Sequence, residues 1–314
     1  MRAIVYTAPL TLELRDVPEP QPVPGEVLVD VRAVGICGSE LEGFRSRSPF
    51  RVPPLIMGHE IAGVRADTRE SVAVNPLISC HRCDLCRRGH ENLCRSRDLI
   101  GIHRPGGFAE RVAVPESCLH PTGTLPFHVA ALAEPMATAV HAFTLAQLPD
   151  PQPQRVGVIG AGMLGLASAV VARRAGVPDV FICDPNRQRL ETAVRVADAE
   201  AGGELEGEFD VVIDAVGTEA TRRASVAHLR PAGTAVWIGL HGPEAGFDGL
   251  ALVRSEQRVQ GSFAYVDRDF RAAIGMLQAL RVDWTTQAPL SDGVDAFEKL
   301  LEGPGDATKT LLVP

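Results

Sequence analysis

Four of the seven cysteines stand together as Cys80-x2-Cys83-x2-Cys86-x7-Cys94. Short Cys-x-x-Cys steps bring thiolates within reach of one tetrahedral ion, at about 2.3 Å per zinc–sulfur bond. Four thiolates leave no open coordination position, so the set predicts a structural zinc lobe over 80–94. Paired disulfides are the competing reading; they fit such tight spacing poorly, and no export signal is recognised. His81 and His90 interleave with the set as bystanders, since four sulfurs already fill the shell. Cys118 and Cys183 read as ordinary buried thiols.

A second set is scattered. Cys37 lies in Gly35-Ile36-Cys37-Gly38-Ser39-Glu40, His59 and Glu60 in Met57-Gly58-His59-Glu60, and Glu134 in Ala133-Glu134-Pro135. A catalytic zinc takes three protein ligands and keeps one position for water or substrate. One Cys, one His and one Glu meet that requirement. Spacing alone does not decide it, because a His beside a Glu is more often a surface or core-polar pair.

The third chemical signal is a glycine loop. Val156-Gly157-Val158-Ile159 runs into Gly160-Ala161-Gly162-Met163-Leu164-Gly165 and then an apolar helix, with Asp184 ending the next strand. Gly160 permits the tight turn, Gly162 lets a pyrophosphate approach, and Gly165 lets the helix pack close. Backbone N–H groups and the helix dipole hold the phosphates, Met163 and Leu164 among them. Asp184 would accept both ribose hydroxyls and repel a 2′-phosphate, which favours NAD over NADP. Arg187 and Arg189 follow closely and soften that preference.

These signals need two kinds of scaffold. The first ~145 residues read as β-rich, with strands at Ala3 to Tyr6, Glu26 to Val34, Val72 to Val74 and Ala109 to Val114. From Arg155 strands and helices alternate, which implies a parallel sheet. Its strands are Val156 to Ile159, Val180 to Cys183, Val211 to Ile213, Ala235 to Ile238 and Val259 to Phe263. Its helices are Leu164 to Ala175 and Thr221 to Leu229. A helix at Asp269 to Leu280 and a strand at Thr310 to Val313 complete the chain, and Pro149 to Pro153 marks the change of texture. The 314 residues make about two domains at ~150 residues each. At 45% apolar and 22% charged residues they can bury sizeable cores.

Composition excludes other chemistries. A net charge of −8 argues against nucleic acid as partner, and the longest uncharged apolar run, Val156 to Ala172, is cut by glycines and too short to span a membrane. The expectation is a soluble, cytoplasmic protein. Two lysines, Lys299 and Lys309, and two tyrosines, Tyr6 and Tyr265, form no Tyr-x-x-x-Lys pair. No Gly-Lys-Ser/Thr loop and no Gly-x-Ser-x-Gly elbow occur either.

Taken in order, Gly-Ile-Cys-Gly-Ser, Gly-His-Glu, the four-cysteine lobe, Gly-Gly-Phe-Ala-Glu (Gly106 to Glu110), Glu-Pro and Gly-x-Gly-x-x-Gly span nearly the whole chain. Together they resemble the zinc-containing medium-chain alcohol dehydrogenases, most of all the polyol branch of sorbitol, galactitol-phosphate and threonine dehydrogenases. The resemblance implies an α/β chain with a chaperonin-10-like β domain over 1–145, a Rossmann doubly wound domain over 146–265, and a return of 266–314 to the first domain. It implies two zinc ions, NAD, and a homodimer or homotetramer joined through edge strands such as Ala235 to Ile238 and Val259 to Phe263.

On the same resemblance Cys37 and His59 are zinc ligands, the third is either Glu60 or Glu134, and Ser39 takes the alcohol proton. The implied reaction interconverts a secondary alcohol of polyol, sugar or cyclitol type and a ketone. Zinc acts as Lewis acid on the substrate oxygen, and hydride passes to the nicotinamide.

Several positions depart from the family pattern. Glu40 stands where relatives carry Asp, and Glu42 where they often carry a relay histidine. The hairpin at Val64 to Glu70 is short, and Ala197 to Phe209 is compressed, so the third strand of the parallel sheet must be short or missing. Glu42, Arg45, Arg47, Ser48, His103 and Arg104 form a polar mouth that could bind a substrate anion or be a solvated face. Two other functions stand beside the leading one: an amino-alcohol dehydrogenase using Glu42, and a silent dinucleotide-binding protein keeping only the structural zinc.

Overall fold

Contacts divide the chain into two units, one formed by Met1–Glu134 with Val266–Pro314, the other by Pro135–Tyr265. The computed structural model describes residues 1–45, 50–146, 153–303, 305 and 307–314. Arg47, Ser48 and positions 149–152 of the proline-rich transition lie outside the described residues.

The first unit is built on a seven-stranded sheet. Its central strand, Glu26–Gly35, pairs antiparallel with Glu60–Arg65, Arg111–Pro115 and Lys309–Val313. Long β-branched runs explain the strand: Val29, Val31 and Val34 are fully or nearly fully buried in the unit's main core, together with Ile61 and Leu312. The register sets Gly35 opposite both Glu60 and Leu311. Three strands far apart in sequence therefore meet at one place, the end of the first, the start of the second and the middle of the third. The helix Gly38–Arg45 starts just beyond that place, and its Phe44 packs edge-on to Phe297 of the helix Gly293–Glu302, with ring centroids 5.3 Å apart. Burying two such rings stabilises the C-terminal return by roughly 1.5–3 kcal/mol each.

The second unit holds a six-stranded, wholly parallel sheet. Its order is Glu200–Gly202, Asp179–Cys183, Arg155–Ile159, Phe209–Asp214, Leu229–Trp237, Arg258–Gly261. Counted along the chain this is 3-2-1-4-5-6, the doubly wound order whose reversal falls beside the first strand. The compressed stretch yields a third strand of three residues, short but present.

Some boundaries differ from those expected, for local reasons. The helix expected at Thr221 to Leu229 runs Glu219–Ala227, because Thr218 caps it by accepting from the Thr221 N–H at 3.2 Å. Leu229 instead opens the next strand, pairing with Phe209. That strand lies between two others, so Ala235 to Ile238 cannot be an edge; Arg258–Gly261 is one. The helix expected from Asp269 starts at Asp267, and Ala109 makes only an isolated bridge to Ala3 before the strand Arg111–Pro115. Among the described residues no helix is long and apolar enough to cross a membrane.

Candidate active site

Cys37, His59 and Glu60 each offer a ligand atom within 4.8 Å of the others. Cys37 follows the central strand by two residues, and Glu60 opens the strand beside it. The ends of that strand pair thus carry the group. Glu134, the second residue of the helix Ala133–Leu145, is not a member of it.

The group is held from behind by buried charge. Glu40, fully buried, accepts the Cys37 N–H at 3.0 Å and the Gly58 N–H at 2.9 Å, and its Oε1 lies 2.9 Å from His59 Nδ1. A His bonded through Nδ1 keeps Nε2 for a metal. Glutamate in place of the family's aspartate therefore still orients the imidazole. Burial works against a charged His59, yet the Glu40 carboxylate and Cys37 outweigh it and push the imidazole pKa well above its usual value.

Glu60 is fully buried as well. Its Oε1 accepts from Lys309 Nζ, which also donates to the Ile36 carbonyl at 3.0 Å. Its Oε2 is buried with no hydrogen-bond partner. A Cβ at Gly35 would stand 1.8 Å from that oxygen, so glycine is required there by close approach. An orphaned carboxylate oxygen beside a thiol and an imidazole fits a bound cation. Lys309 was not anticipated. Its signal was rarity: a chain with 31 basic residues uses lysine twice, and one of the two begins a buried strand.

Ser39 donates to Cys37 Sγ at 3.4 Å and accepts from Arg51 Nη2 at 3.1 Å. Of the expected polar mouth, Arg104 pairs with Glu26 and His103 Nδ1 lies 3.4 Å from Asp98, while Arg45 is exposed and Glu42 half-buried.

The four-cysteine lobe closes on itself. Cys80, Cys83, Cys86 and Cys94 bring their sulfurs within 4.8 Å of one another, and His81 and His90 are not in the group. Backbone N–H groups point at the sulfurs: Cys83 N–H to Cys80, Cys86 N–H to Cys83, Cys80 N–H to Cys94, at 3.3–3.5 Å. The Cys86 and Arg95 N–H groups lower the Cys83 pKa to about 6, towards the thiolate that binds metal. The Cys80–Cys86 sulfur separation of 4.0 Å is far beyond a disulfide bond. A closed tetrad of thiols fits a structural zinc.

In the second unit Gly160 takes φ +95°, and a Cβ on Gly165 would lie 1.7 Å from the Gly160 carbonyl oxygen. The helix Met163–Arg174 begins at Gly162, where a Cβ would meet nothing closer than Arg189 Nη1 at 3.9 Å. The outer side of the turn is therefore roomy, as a phosphate cradle must be. Asp184 accepts the Ala161 and Asn186 N–H groups, both at 2.7 Å, which fixes its carboxylate at the end of its strand. Arg187 is exposed.

Comparison with known proteins agrees with this geometry. Residues 23–124 match the alcohol dehydrogenase GroES-like domain and residues 164–279 the zinc-binding dehydrogenase domain. L-galactonate-5-dehydrogenase of Escherichia coli (strain K12) is 31% identical over 287 residues, 82% of each chain. D-altritol 5-dehydrogenase of Agrobacterium fabrum is 32% identical over 297 residues, 88% of each chain. The NADH complex of an Escherichia coli CFT073 protein described as a short chain alcohol dehydrogenase superposes with a TM-score of 0.91 at 26% identity, covering 100% of this chain and 99% of that one. With both of its domains matched and relatives aligned over four-fifths of their length, the chain belongs to the zinc-containing medium-chain alcohol dehydrogenase family.

Proposed function

We propose that the chain is a zinc- and NAD-dependent dehydrogenase that interconverts a secondary alcohol and a ketone on a polyol, sugar or cyclitol-like substrate. The observation that carries this reading is the Cys37–His59–Glu60 group with its orphaned carboxylate oxygen and a serine hydroxyl 3.4 Å from the thiol. The relatives acting on L-galactonate and D-altritol support the substrate class.

Cys37, His59 and Glu60 would hold the catalytic zinc, and Cys80, Cys83, Cys86 and Cys94 the structural one. Bound zinc supplies Lewis acidity at the substrate oxygen, and bound NAD supplies the hydride acceptor or donor. The chain's own residues do the rest. Glu40 fixes the imidazole so that one nitrogen faces the metal position. Lys309 neutralises one oxygen of Glu60. Ser39 takes up the proton that the alcohol gives up. Gly160, Gly162, Met163, Leu164 and Gly165 cradle the pyrophosphate, Asp184 accepts the ribose hydroxyls, and Arg189 borders the same turn. Asp184 favours NAD over a 2′-phosphorylated cofactor by charge repulsion.

The enzyme works in the cytoplasm, where thiolates of the zinc lobe stay reduced. It assembles as a homodimer or homotetramer through the edge strand Arg258–Gly261. Domain roles follow the units: the first carries the metal sites, the second the dinucleotide.

The test is NADH formation, followed by its near-ultraviolet absorbance, with zinc-loaded protein, NAD and a panel of polyols, aldonic acids, cyclitols and amino alcohols. Turnover on a polyol or sugar acid is expected. Turnover on amino alcohols alone would replace the substrate class. Silence across the panel, with one zinc per chain, would replace the enzyme by a dinucleotide-binding protein.

A further inference from the structure

Beside the Cys37 group lies a cation that no part of the foregoing mechanism uses. Arg51 is 7% exposed, yet the two ion pairs of the group, His59–Glu40 and Lys309–Glu60, leave it out. Its hydrogen bond among the described residues runs from Nη2 to Ser39 Oγ, and its Nε is buried with no partner. The helix Gly38–Arg45 makes room for it: a Cβ at Gly43 would stand 2.7 Å from Nη1. The Arg51 charge acts on the buried Glu40 carboxylate alongside that of His59, but among the described residues no carboxylate reaches it at ion-pair distance. A guanidinium buried on so few direct partners is costly, so its placement calls for a use.

The use follows from hydrogen-bond valence. A serine hydroxyl has one hydrogen and two acceptor sites. The hydrogen of Ser39 goes to Cys37 Sγ, and Arg51 fills one acceptor site. One lone pair is left. A guanidinium has donors only and keeps its protons, so Arg51 cannot be the next station of a relay. It can hold the serine oxygen in place and set a fixed positive charge beside it.

We propose that Arg51 is a positioning residue for the proton step at Ser39, aiming the serine's free lone pair at the substrate hydroxyl and stabilising the negative charge that develops there. In that step the substrate O–H bond breaks and its proton goes to the Ser39 oxygen, while the hydrogen Ser39 already carried turns away from Cys37 Sγ and leaves to a neighbouring water. No electrons change hands. The inference rests on the dehydrogenase reading, in which Ser39 receives the alcohol proton.

Arg51→Met, Arg51→Lys, Ser39→Ala and the Arg51→Met/Ser39→Ala double variant test it in the full chain, with two readouts. The first needs no turnover: cobalt(II) replaces zinc at the Cys37 site alone while the four-cysteine lobe keeps its zinc, so that the cobalt–thiolate absorption band reports the Cys37 sulfur. Arg51→Met is expected to shift that band in the same direction as Ser39→Ala, and the double variant to shift it no further. The second is kinetic. Arg51→Met should lower kcat for alcohol oxidation by about 10–100-fold, leave KM unchanged and enlarge the solvent isotope effect, with Arg51→Lys restoring most of the loss.

Additive band shifts, or an unchanged isotope effect, would overturn the proposal. So would a loss confined to KM on carboxylate-bearing substrates, which would make Arg51 a substrate-binding residue instead. If Arg51→Met fails to fold, Arg51→Gln takes its place. A wild-type chain silent on every substrate sinks the dehydrogenase reading, and the cobalt cycle then decides the Arg51–Ser39 linkage by itself.

Discussion

The two clusters of metal-type ligands are built in opposite ways. The four-cysteine lobe lies within Cys80–Cys94, and its sulfurs are posed by the N–H groups of their own turns. The Cys37–His59–Glu60 group is assembled by sheet register, and the lysine that neutralises Glu60 comes from 249 residues away. The lobe has little core of its own: Cys86, Asn92 and Cys94 are buried, while most neighbouring residues are partly or fully exposed. The other group stands on Val34, Ile36, Ile61 and Leu311, all buried. A cluster made locally needs its ion to keep its shape; a cluster made by the fold has its shape already and spends charge to keep it.

The largest effect expected from this contrast is metal removal at the lobe. Cys86→Ser takes away one of the buried sulfurs, and structural zinc in small domains is worth roughly 10 kcal/mol or more at neutral pH. Hydrogen exchange should show protection lost across 80–94 and kept in Glu60–Arg65. Equal loss in both segments would erase the distinction.

The next effect belongs to the assembled group. Lys309→Met leaves the fully buried Glu60 carboxylate without its cation, and breaking such a pair from one side costs about 3–5 kcal/mol. Denaturant unfolding of the metal-free protein measures it. Replacing both partners, Glu60→Gln with Lys309→Met, should recover most of the loss, because no charge is then buried alone. If the single variant is as stable as the double, the pair carries no weight in the fold.

Glu40→Gln comes third. It keeps a carbonyl oxygen for His59 but removes the charge, and losing such an outer partner lowers metal affinity by about 10–100-fold. Competition with a chromophoric chelator should show one weakened site and one unchanged. Weakening of both would mean the two sites are not independent.

The same contrast governs what could be read from sequence. The lobe was legible because all its donors fall in one short window, where Cys-x-x-Cys spacing states a distance directly. The glycine loop was legible for a similar reason: strand, turn and helix are consecutive, and Gly165 meets Gly160, five residues back. Cys37, His59 and Glu60 could be named as residue types, but their meeting depends on the pairing of Gly35 with Glu60. Glu60 could not be separated from Glu134 without that register. Neither Lys309 nor Arg51 sits in a motif: rarity marks Lys309 as unusual without giving it a place, Arg51 carries no such mark, and each is defined by what it touches across the unit. Leu229 was misplaced because an apolar residue after a helix fits the helix's last turn and a strand's first residue equally well.

The smallest effect is the sharpest test of whether burial or mere charge count sets the weight of an ion pair. Arg95 and Asp84 in the lobe form a two-pronged pair at 2.9 and 3.1 Å, better in geometry than Lys309 with Glu60. Their side chains, however, are 68% and 50% exposed. Water and salt screen such a pair, and ordering two side chains opposes it. Arg95 does serve the lobe through its backbone N–H, which supports the Cys83 thiolate, but any residue except proline at 95 keeps that group. Arg95→Ala should therefore leave the melting midpoint and the metal affinity of the lobe indistinguishable from wild type, at low and at high salt. A loss approaching that of Lys309→Met would show that the lobe's charges, and not its thiolates, hold it together.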